Sequence, residues 1–279
     1  MKITLYGTRG SLATPGPDTA RYGGNTACVR VSGPDGTELA LDAGTGIRRL
    51  GVDLPRELKR VDILLTHLHM DHILGLGFFG PLFNPAVDVH IWGPASTTQS
   101  LAARLSRYLS PPLFPVLLRD LPGRRELHHV PCGRFEIGCF RIDASYVCHP
   151  GPTVGYRLET AGASMAYLPD HEPALGVREF PLEAEWTSGY ELARGVDLLV
   201  HDAQYTREEY PRHVGWGHSS LHDMLKFGRL TGVKRLVPFH HDPGRNDGEL
   251  EAAVATACAE LRPEFPVTAA AEGASFELN

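Results

Sequence analysis

Hydrophobic and polar positions alternate in short segments over the first part of the chain, a pattern that predicts strands joined by tight turns. The predicted strands span residues 2–6, 26–31, 38–41 and 61–66. Gly33-Pro-Asp-Gly36 lies between the second and third and is typical of a hairpin turn. The segment 61–66 is almost entirely apolar, as buried strands are. A helix reaching Leu50 is predicted after Asp42-Ala-Gly-Thr-Gly46.

The rest of the chain mixes further strands with longer helices. Strands are predicted at 135–145, 153–159, 164–168, 197–200 and 235–238, and helices at 97–109, 187–194, 219–231 and 247–262. In the last helix Leu250, Val254 and Leu261 recur at helical spacing. No Ser/Gly-rich linker divides the chain, so residues 1–279 are predicted to form one α/β domain with two layers of sheet and helices outside.

One stretch, at about 76–125, looks like an addition to this domain. It contains Phe78-Phe79-Gly-Pro81, a predicted helix that ends at Tyr108, and Pro111-Pro-Leu-Phe-Pro115. An apolar, proline-rich excursion is typical of a lid or a dimer contact. Simple surface packing is the alternative.

Composition narrows the class of protein. Hydrophobic content of 42% and charged content of 22% are ordinary for a soluble globular enzyme, and no apolar run approaches the roughly 20 residues of a membrane helix. The chain start predicts a strand rather than a signal peptide, and the five scattered cysteines favour a reducing cytoplasm. With a net charge of −6 and no basic stripe, a small anionic substrate is favoured over a long nucleic acid.

The most informative motif follows the apolar strand 61–66. It reads His67-Leu-His69-Met-Asp71-His72 and supplies four metal-binding side chains within six positions. Alternate residues of an extended chain project to one side, so His67, His69 and Asp71 can converge. His72 turns back toward them if a helix begins at Asp71. Imidazole and carboxylate are the usual ligands of zinc and of harder divalent metals, and this spacing predicts two adjacent metals.

Further candidate ligands stand at the ends of later predicted strands. His149 follows the strand around 142–148, Asp170 ends Met165-Ala-Tyr-Leu-Pro-Asp170, and His240 and His241 follow the strand 235–238. Side chains at the ends of several strands meet at one edge of an α/β sheet.

Taken together, these motifs resemble the metallo-β-lactamase superfamily, in particular its branch of tRNA 3′-processing endonucleases and small cyclic-phosphate and cyclic-nucleotide phosphodiesterases. The resemblance covers nearly the whole chain and implies a four-layer αββα sandwich. It implies that one metal is bound by His67, His69 and His149, and that Asp170 bridges both metals. The second metal would be bound by Asp71, His72 and a terminal histidine. His240 is preferred over His241 for that position because Pro243 follows it three residues on, as in the related phosphodiesterases.

A second signature points to the phosphodiesterase branch. His201-Asp-Ala-Gln204 follows a predicted strand, and Gly215-Trp-Gly-His218-Ser-Ser220 opens a predicted helix with Ser219 or Ser220 as its N-cap. The resemblance implies that His218 protonates the leaving alkoxide and that Asp202 orients it, although the tRNA enzymes usually have glutamate at this acidic position. A structural histidine hydrogen-bonded to backbone is the alternative for His218.

The expected function is therefore a dinuclear metal-dependent phosphodiesterase that cleaves a cyclic nucleotide or another small phosphodiester through metal-bound hydroxide, with Asp71 both ligand and catalytic residue. Zinc is the favoured metal, with manganese and iron open. Only 20 residues separate His149 from Asp170, where the tRNA enzymes carry an extra arm, so tRNA is disfavoured. The resemblance also implies a homodimer. The alternatives are a tRNA 3′-processing-type endonuclease, a thioesterase or lactonase, and a nucleotide sensor without activity.

Overall fold

Two mixed β-sheets packed face to face form the centre of the structure. The structure, a computed structural model, describes residues 1–175, 180–181 and 183–279. Within these ranges the first sheet has seven strands in the order β13-β1-β2-β3-β4-β5-β6, and the second has six in the order β12-β11-β10-β9-β8-β7. The strands are β1 (Lys2–Gly7), β2 (Cys28–Ser32), β3 (Glu38–Leu41), β4 (Arg60–Leu64), β5 (Asp88–Gly93), β6 (Arg124–His129), β7 (Gly133–Ile137), β8 (Phe140–Tyr146), β9 (Val154–Thr160), β10 (Ala163–Leu168), β11 (Leu198–Asp202), β12 (Leu236–Phe239) and β13 (Ser275–Glu277).

The helices cover the outer faces of both sheets. They are α1 (Ile47–Asp53), α2 (Met70–Ile73), α3 (Leu101–Leu105), α4 (Tyr190–Ala193), α5 (Leu221–Thr231) and α6 (Asp247–Leu261). Ser220 is the N-cap of α5, and Asn246 and Glu249 form a capping box at the start of α6. The caps determine where α5 and α6 begin, and both helices begin within two residues of the predicted positions.

Among the described residues, three apolar clusters hold the layers together. The central one lies between the sheets and joins β1 to β3 with β8 to β12 through side chains such as Leu5, Leu158 and Val200. A second packs α1 and α3 on the first sheet, and a third packs α4, α5 and α6 on the second. This arrangement of helix, sheet, sheet and helix confirms the predicted four-layer αββα sandwich.

The direction of the strands places their carboxyl ends, and the side chains that follow them, at one edge of the sheets. Within the second sheet β10, β11 and β12 run parallel, and β8 has the same direction because two antiparallel pairings relate it to β10. The carboxyl ends of these four strands therefore lie at a common edge. In the first sheet β3 to β6 run parallel, and the loop that follows β4 meets the same edge.

Some predicted elements need correction. The segment 135–145 is a hairpin of β7 and β8 rather than one strand, because Gly138 takes a positive φ of 53° at the turn. Helices predicted at 97–109 and 187–194 shorten to α3 and α4. Gly189, with φ of 72°, sets the start of α4, and Ser100 caps α3. Helix α2 begins at Met70 rather than Asp71. The strands β5, β6 and β13 were not predicted.

The stretch 76–125 is in part a component of the first sheet. Strand β5 pairs in parallel with β4 and with β6, so Asp88–Gly93 belongs to the sheet and is not an addition to it. Around β5, short 3₁₀ turns and α3 pack against the outer face. The lid or dimer-contact role of the remaining residues stays a prediction. None of the helices in the described ranges has both the length and the apolar character needed to cross a bilayer.

Packing between the sheets yields a first testable prediction. Ile142 in β8 has no exposed surface and belongs to the central cluster, so replacing it by alanine should lower the free energy of unfolding by about 2–5 kcal/mol. Ser145 is exposed in the same strand, and Ser145→Ala should change that free energy by no more than about 0.5 kcal/mol. Urea unfolding of both variants at fixed metal concentration measures the difference, and equal effects would contradict the assigned register of β8.

Candidate metal centre

Seven side chains from both sheets converge where the strands end. The loop after β4 and the helix α2 carry four of them, and the other three follow β8, β10 and β12. They form two groups that share Asp170, and within each group the ligand atoms lie within 4.8 Å of one another. The members are His67, His69, His149 and Asp170 in the first group, and Asp71, His72, Asp170 and His240 in the second.

The first group is open to solvent at one side. His67, His149 and Asp170 are buried, whereas His69 is exposed. The Nε2 atoms of His67 and His149 each lie 3.7 Å from Oδ2 of Asp170, and Nε2 of His149 lies 3.2 Å from Nδ1 of His69. Two imidazoles therefore face one carboxylate oxygen and the third lies beside them, an arrangement that suits the ligands of a single metal.

The second group is fully enclosed. Nε2 of His72 lies 2.9 Å from Oδ1 of Asp170, and Nε2 of His240 lies 3.4 Å from the same oxygen and 3.2 Å from Oδ2 of Asp71. The two oxygens of Asp170 thus face the two groups separately. His241 lies outside both, since its Nε2 donates to the carbonyl oxygen of Ala270 at 2.8 Å. Burial, with the guanidinium groups of Arg9 and Arg245 nearby, lowers the pKa of His241 to about 3.

The histidines are oriented from behind by fixed partners. Nδ1 of His72 pairs with Oδ2 of the buried Asp42 at 2.8 Å, and Asp42 also accepts from the backbone N–H of Thr66 and from the hydroxyl of Tyr167. Nδ1 of His240 pairs with Oε1 of Gln204 at 2.9 Å, which fixes Nε2 as the inward nitrogen. Such outer partners set the tautomer and the ring orientation of metal-binding histidines.

Two glycines allow the imidazoles to approach so closely. A Cβ atom on Gly10 would lie 2.2 Å from Nδ1 of His240, and a Cβ atom on Gly217 would lie 2.4 Å from Nδ1 of His149. His240 itself has φ of 58°, a left-handed conformation that few side chains adopt outside constrained sites. The backbone is thus held in a strained form where it presents His240.

The electrostatics of the cluster depend on mutual compensation. Burial alone would raise the pKa of Asp170, but His240, His72 and His67 hold it well below its usual range. Burial alone would lower the pKa of His72, but Asp170, Asp71 and Asp42 raise it well above its usual range. For His67 burial dominates and holds the pKa well below its ordinary value, so its imidazole is neutral and suited to bind a cation.

The donor set fits two divalent metal ions. Within the described part of the chain, Nε2 of His67, Nε2 of His72 and Oδ1 of Asp170 are buried and have no hydrogen-bond partner of acceptable geometry. Buried polar atoms are rarely left in this state, and here all three face the centre of the cluster. Imidazole with carboxylate suits zinc, manganese or iron. The residues predicted from the sequence are therefore brought together, and their role as ligands stays a prediction.

Beside the two groups lies the pair Asp202 and His218. Nδ1 of His218 and Oδ2 of Asp202 are 2.6 Å apart, and the His218 ring stacks on His240 with centroids 4.8 Å apart. Burial alone would lower the pKa of His218, but Asp202 raises it to about 9. Oδ1 of Asp202 also accepts from the backbone N–H groups of Gln204 and Ser219. His201 lies outside both ligand groups, and its Nε2 is 2.9 Å from Nδ1 of His171.

Glu172 is a component of the site that sequence reasoning missed. Its buried carboxylate accepts from the backbone N–H groups of Gly215 and Gly217, at 3.0 and 2.8 Å, and from the Tyr210 hydroxyl at 2.6 Å. Gly217 in turn accepts from Nδ1 of His149 at 2.8 Å through its carbonyl oxygen. Glu172 therefore ties the loop before His218 to a ligand of the first group. The only signal in the sequence was its place two residues after Asp170.

An opening of about 410 Å³ gives access to the first group. His67 and His69 line one side of it, and residues 150–152 line another. The third side comes from the segment after β5 and from the end of α3, with the side chains of Ser96, Thr98, Gln99, Arg104 and Arg107. A substrate with negative charge would meet two guanidinium groups on the way to the centre.

A comparison with protein families gives one match over most of the chain. The family model described as a beta-lactamase superfamily domain matches residues 37–241. This span contains both ligand groups and the pair of Asp202 and His218.

Three similar proteins extend the comparison. An uncharacterized protein of Mycobacterium tuberculosis is 28% identical over 289 residues, which cover 100% of this chain and 92% of that protein. A ribonuclease Z of Gemmatimonas aurantiaca is 25% identical over 291 residues, with 88% of each chain covered. Among solved structures, a diphosphatase from the PhnP family superposes with a TM-score of 0.69 at 20% identity, covering 100% of this chain and 98% of that one. At this identity the last likeness shows the fold alone.

The positions of His240 and His241 lead to a prediction on metal content. His240→Gln should lower the affinity for one of the two metals, because Nε2 of His240 faces Asp71 and Asp170. Loss of a residue that only orients a ligand lowers metal affinity by roughly 10–100-fold, and loss of His240 should cost more. His241→Gln retains a donor for the Ala270 carbonyl oxygen and should keep both metals. Metal analysis after dialysis at buffered free zinc measures this, and loss of metal in the His241 variant alone would reverse the assignment.

Proposed function

Because the chain belongs to the metallo-β-lactamase superfamily of hydrolases, we propose that it is a dinuclear metal-dependent phosphodiesterase that cleaves a small phosphodiester, such as a cyclic nucleotide or a cyclic phosphate. The observation that carries this proposal is the pair of His218 and Asp202 beside the two ligand groups. Zinc is the metal we favour, with manganese and iron as alternatives.

The pair supports phosphodiester cleavage because of the leaving group. A phosphodiester releases an alkoxide, which is far more basic than the thiolate that a thioester releases, so a positioned acid contributes more. Asp202 engages Nδ1 of His218, which leaves Nε2 as the nitrogen that carries the transferable proton. Stacking against the His240 ring places that imidazole at the edge of the centre. We assign His218 as the general acid and Asp202 as the residue that orients it.

The ligand groups would hold two metals on either side of Asp170. When bound, the metals would lower the pKa of a water molecule and offset charge on the phosphate oxygens. Asp170 would contact both, and Asp71, whose Oδ2 accepts from the backbone N–H of Ser11 at 2.8 Å, would keep a fixed orientation in the second group. Asp42, Gln204 and the carbonyl oxygen of Gly217 would keep the histidines in one tautomer.

The opening supports a substrate of small size. Arg104 and Arg107 line it close to His69, so a phosphodiester would be attracted to the exposed side of the first group. Between His149 and Asp170 the chain forms only β9, β10 and their short connections, which leaves no room for the arm of the tRNA-processing enzymes. The net charge of −6 also disfavours a long polyanion.

One alternative has a specific observation in its favour. A ribonuclease Z is 25% identical over 88% of this chain, so cleavage of a tRNA precursor is the second candidate function. A thioesterase would use the same ligand groups but would have less need of His218, because its leaving thiolate is weakly basic. A lactonase releases an alkoxide and is distinguished from a phosphodiesterase by its substrate alone. The homodimer and the cytoplasmic location stay predictions.

The direct test is hydrolysis by metal-reconstituted protein. We expect cleavage of bis-p-nitrophenyl phosphate and of at least one cyclic nucleotide with zinc, manganese or cobalt, and no cleavage of a precursor tRNA. Inactivity toward every phosphodiester, together with activity toward a thioester or a lactone, would overturn the proposal. Cleavage of the tRNA precursor alone would favour the ribonuclease alternative.

The role of His218 has its own test. His218→Ala should slow cleavage of a cyclic nucleotide by about 10²–10⁴-fold, because a ribose alkoxide needs a proton to depart. Loss with bis-p-nitrophenyl phosphate should be much smaller, since p-nitrophenolate departs without one. His213→Ala, in the same loop but outside both ligand groups, is the matched control. Equal losses on both substrates, with metal content intact, would exclude His218 as the acid.

A further inference from the structure

A second cluster of metal-binding side chains lies on the face of the first sheet, apart from the seven candidate ligands of the main centre. His90 on β5 and Glu126 on β6 are paired in register, and His128 follows two residues along β6 on the same face. Val89 and Ile91 of β5 point to the opposite face, where they pack beneath the helices. The three polar side chains therefore rise together from two adjacent parallel strands.

The distances within this cluster match those around one transition-metal ion. Nδ1 of His90 and Nε2 of His128 are 2.9 Å apart, and Oε2 of Glu126 lies 3.8 and 3.7 Å from them. In a tetrahedral zinc site with bonds of about 2.0–2.1 Å, neighbouring ligand atoms lie about 3.3–3.4 Å apart. The three observed separations fall on both sides of that value. One ion therefore requires shifts of a few tenths of an ångström at the ligand atoms, together with a rotation of the two imidazole rings, whose nitrogens point toward each other in the structure. We propose that His90, Glu126 and His128 bind a third divalent transition metal, zinc in the first place.

The surroundings support the His128 ring on one face and leave the cluster accessible from solvent. The indole of Trp92 stacks on the His128 ring with centroids 4.1 Å apart, and the His90 and His128 rings are nearly parallel. Trp92 is itself held by a hydrogen bond from Nε1 to Oδ1 of Asp62 at 2.9 Å. His90 is buried, while Glu126 is 67% exposed, so the carboxylate can close on an ion that arrives from solvent. Two imidazoles and one carboxylate leave a fourth position for water.

Such an ion would stabilise the edge of the first sheet. Strand β6 is the edge strand of the first sheet, and the chain passes from it to β7, the edge strand of the second sheet. An ion held by both β5 and β6 would pin the edge at the point where the chain leaves one sheet for the other. The alternative is a hydrogen bond between two neutral imidazoles, which needs no metal and which the 2.9 Å separation also satisfies.

Zinc alone is the probe that separates these two cases. After dialysis of the full chain at buffered free zinc, His128→Gln and His90→Gln should each contain about one zinc fewer per chain than the unchanged protein, in line with loss of one site. Glu126→Gln should bind that zinc more weakly. His129→Gln, an exposed change in the same strand with the side chain on the other face, is the matched control and should lose none.

A second measurement covers the case in which a variant fails to fold. An anomalous difference map from zinc-soaked crystals of the unchanged protein should show a peak between Nδ1 of His90 and Nε2 of His128. Equal zinc content in folded variants, or anomalous peaks confined to the main centre, would overturn the proposal. The count does not involve hydrolysis, so its outcome is independent of the phosphodiesterase proposal.

Discussion

A buried negative charge at the edge where the two sheets meet governs the arrangement around it. Asp170 is almost fully enclosed and lies between imidazoles of His67, His72, His149 and His240. A carboxylate in such a place is costly unless cations or strong donors surround it. The strand ends, the strained backbone at His240 and the glycine beside it all serve to bring those partners within reach. The centre therefore stabilises one buried carboxylate by surrounding it with positive charge. Protonated histidines or bound metal ions would each supply that charge.

Two further buried carboxylates, Asp42 and Glu172, support the residues around the centre. Asp42 accepts hydrogen bonds from the segment after β4, from β10 and from α2, and Glu172 accepts them from backbone N–H groups of the loop before His218. Neither belongs to a ligand group. Asp42 contacts His72 of the second group, and Glu172 holds Gly217, whose carbonyl oxygen contacts His149 of the first. Because these supports are hydrogen bonds within a packed interior, the positions of His72 and His149 are set before any substrate arrives. Preorganisation of this kind is what electrostatic catalysis depends on.

The sequence predicted two kinds of site residue: those close together in one motif, and those that directly follow a predicted strand. The spacing of His67, His69, Asp71 and His72 is local information, and parallel strands brought Asp170 and His240 to the same edge as expected. The choice between His240 and His241 depends on a φ of 58° that no spacing reveals, and the resemblance decided it. Glu172 was missed because its partners are 38 to 45 residues away. Strand β6 was missed because an edge strand rich in charge, Arg124 to His129, lacks the apolar alternation of a buried one.

Neither ligand group is complete within one half of the chain. Four of the residues follow β4 of the first sheet, and His149, Asp170 and His240 follow strands of the second. The sheets already touch at this edge through the hydrogen bonds of Tyr156 to Leu65 and of Tyr167 to Asp42. Any metal held here is consequently a cross-link between the two halves of the sandwich, and its binding free energy is also free energy of docking one sheet on the other. Formation of the centre therefore depends on correct packing of the two sheets. A chain in which the sheets have not packed together lacks both complete ligand groups.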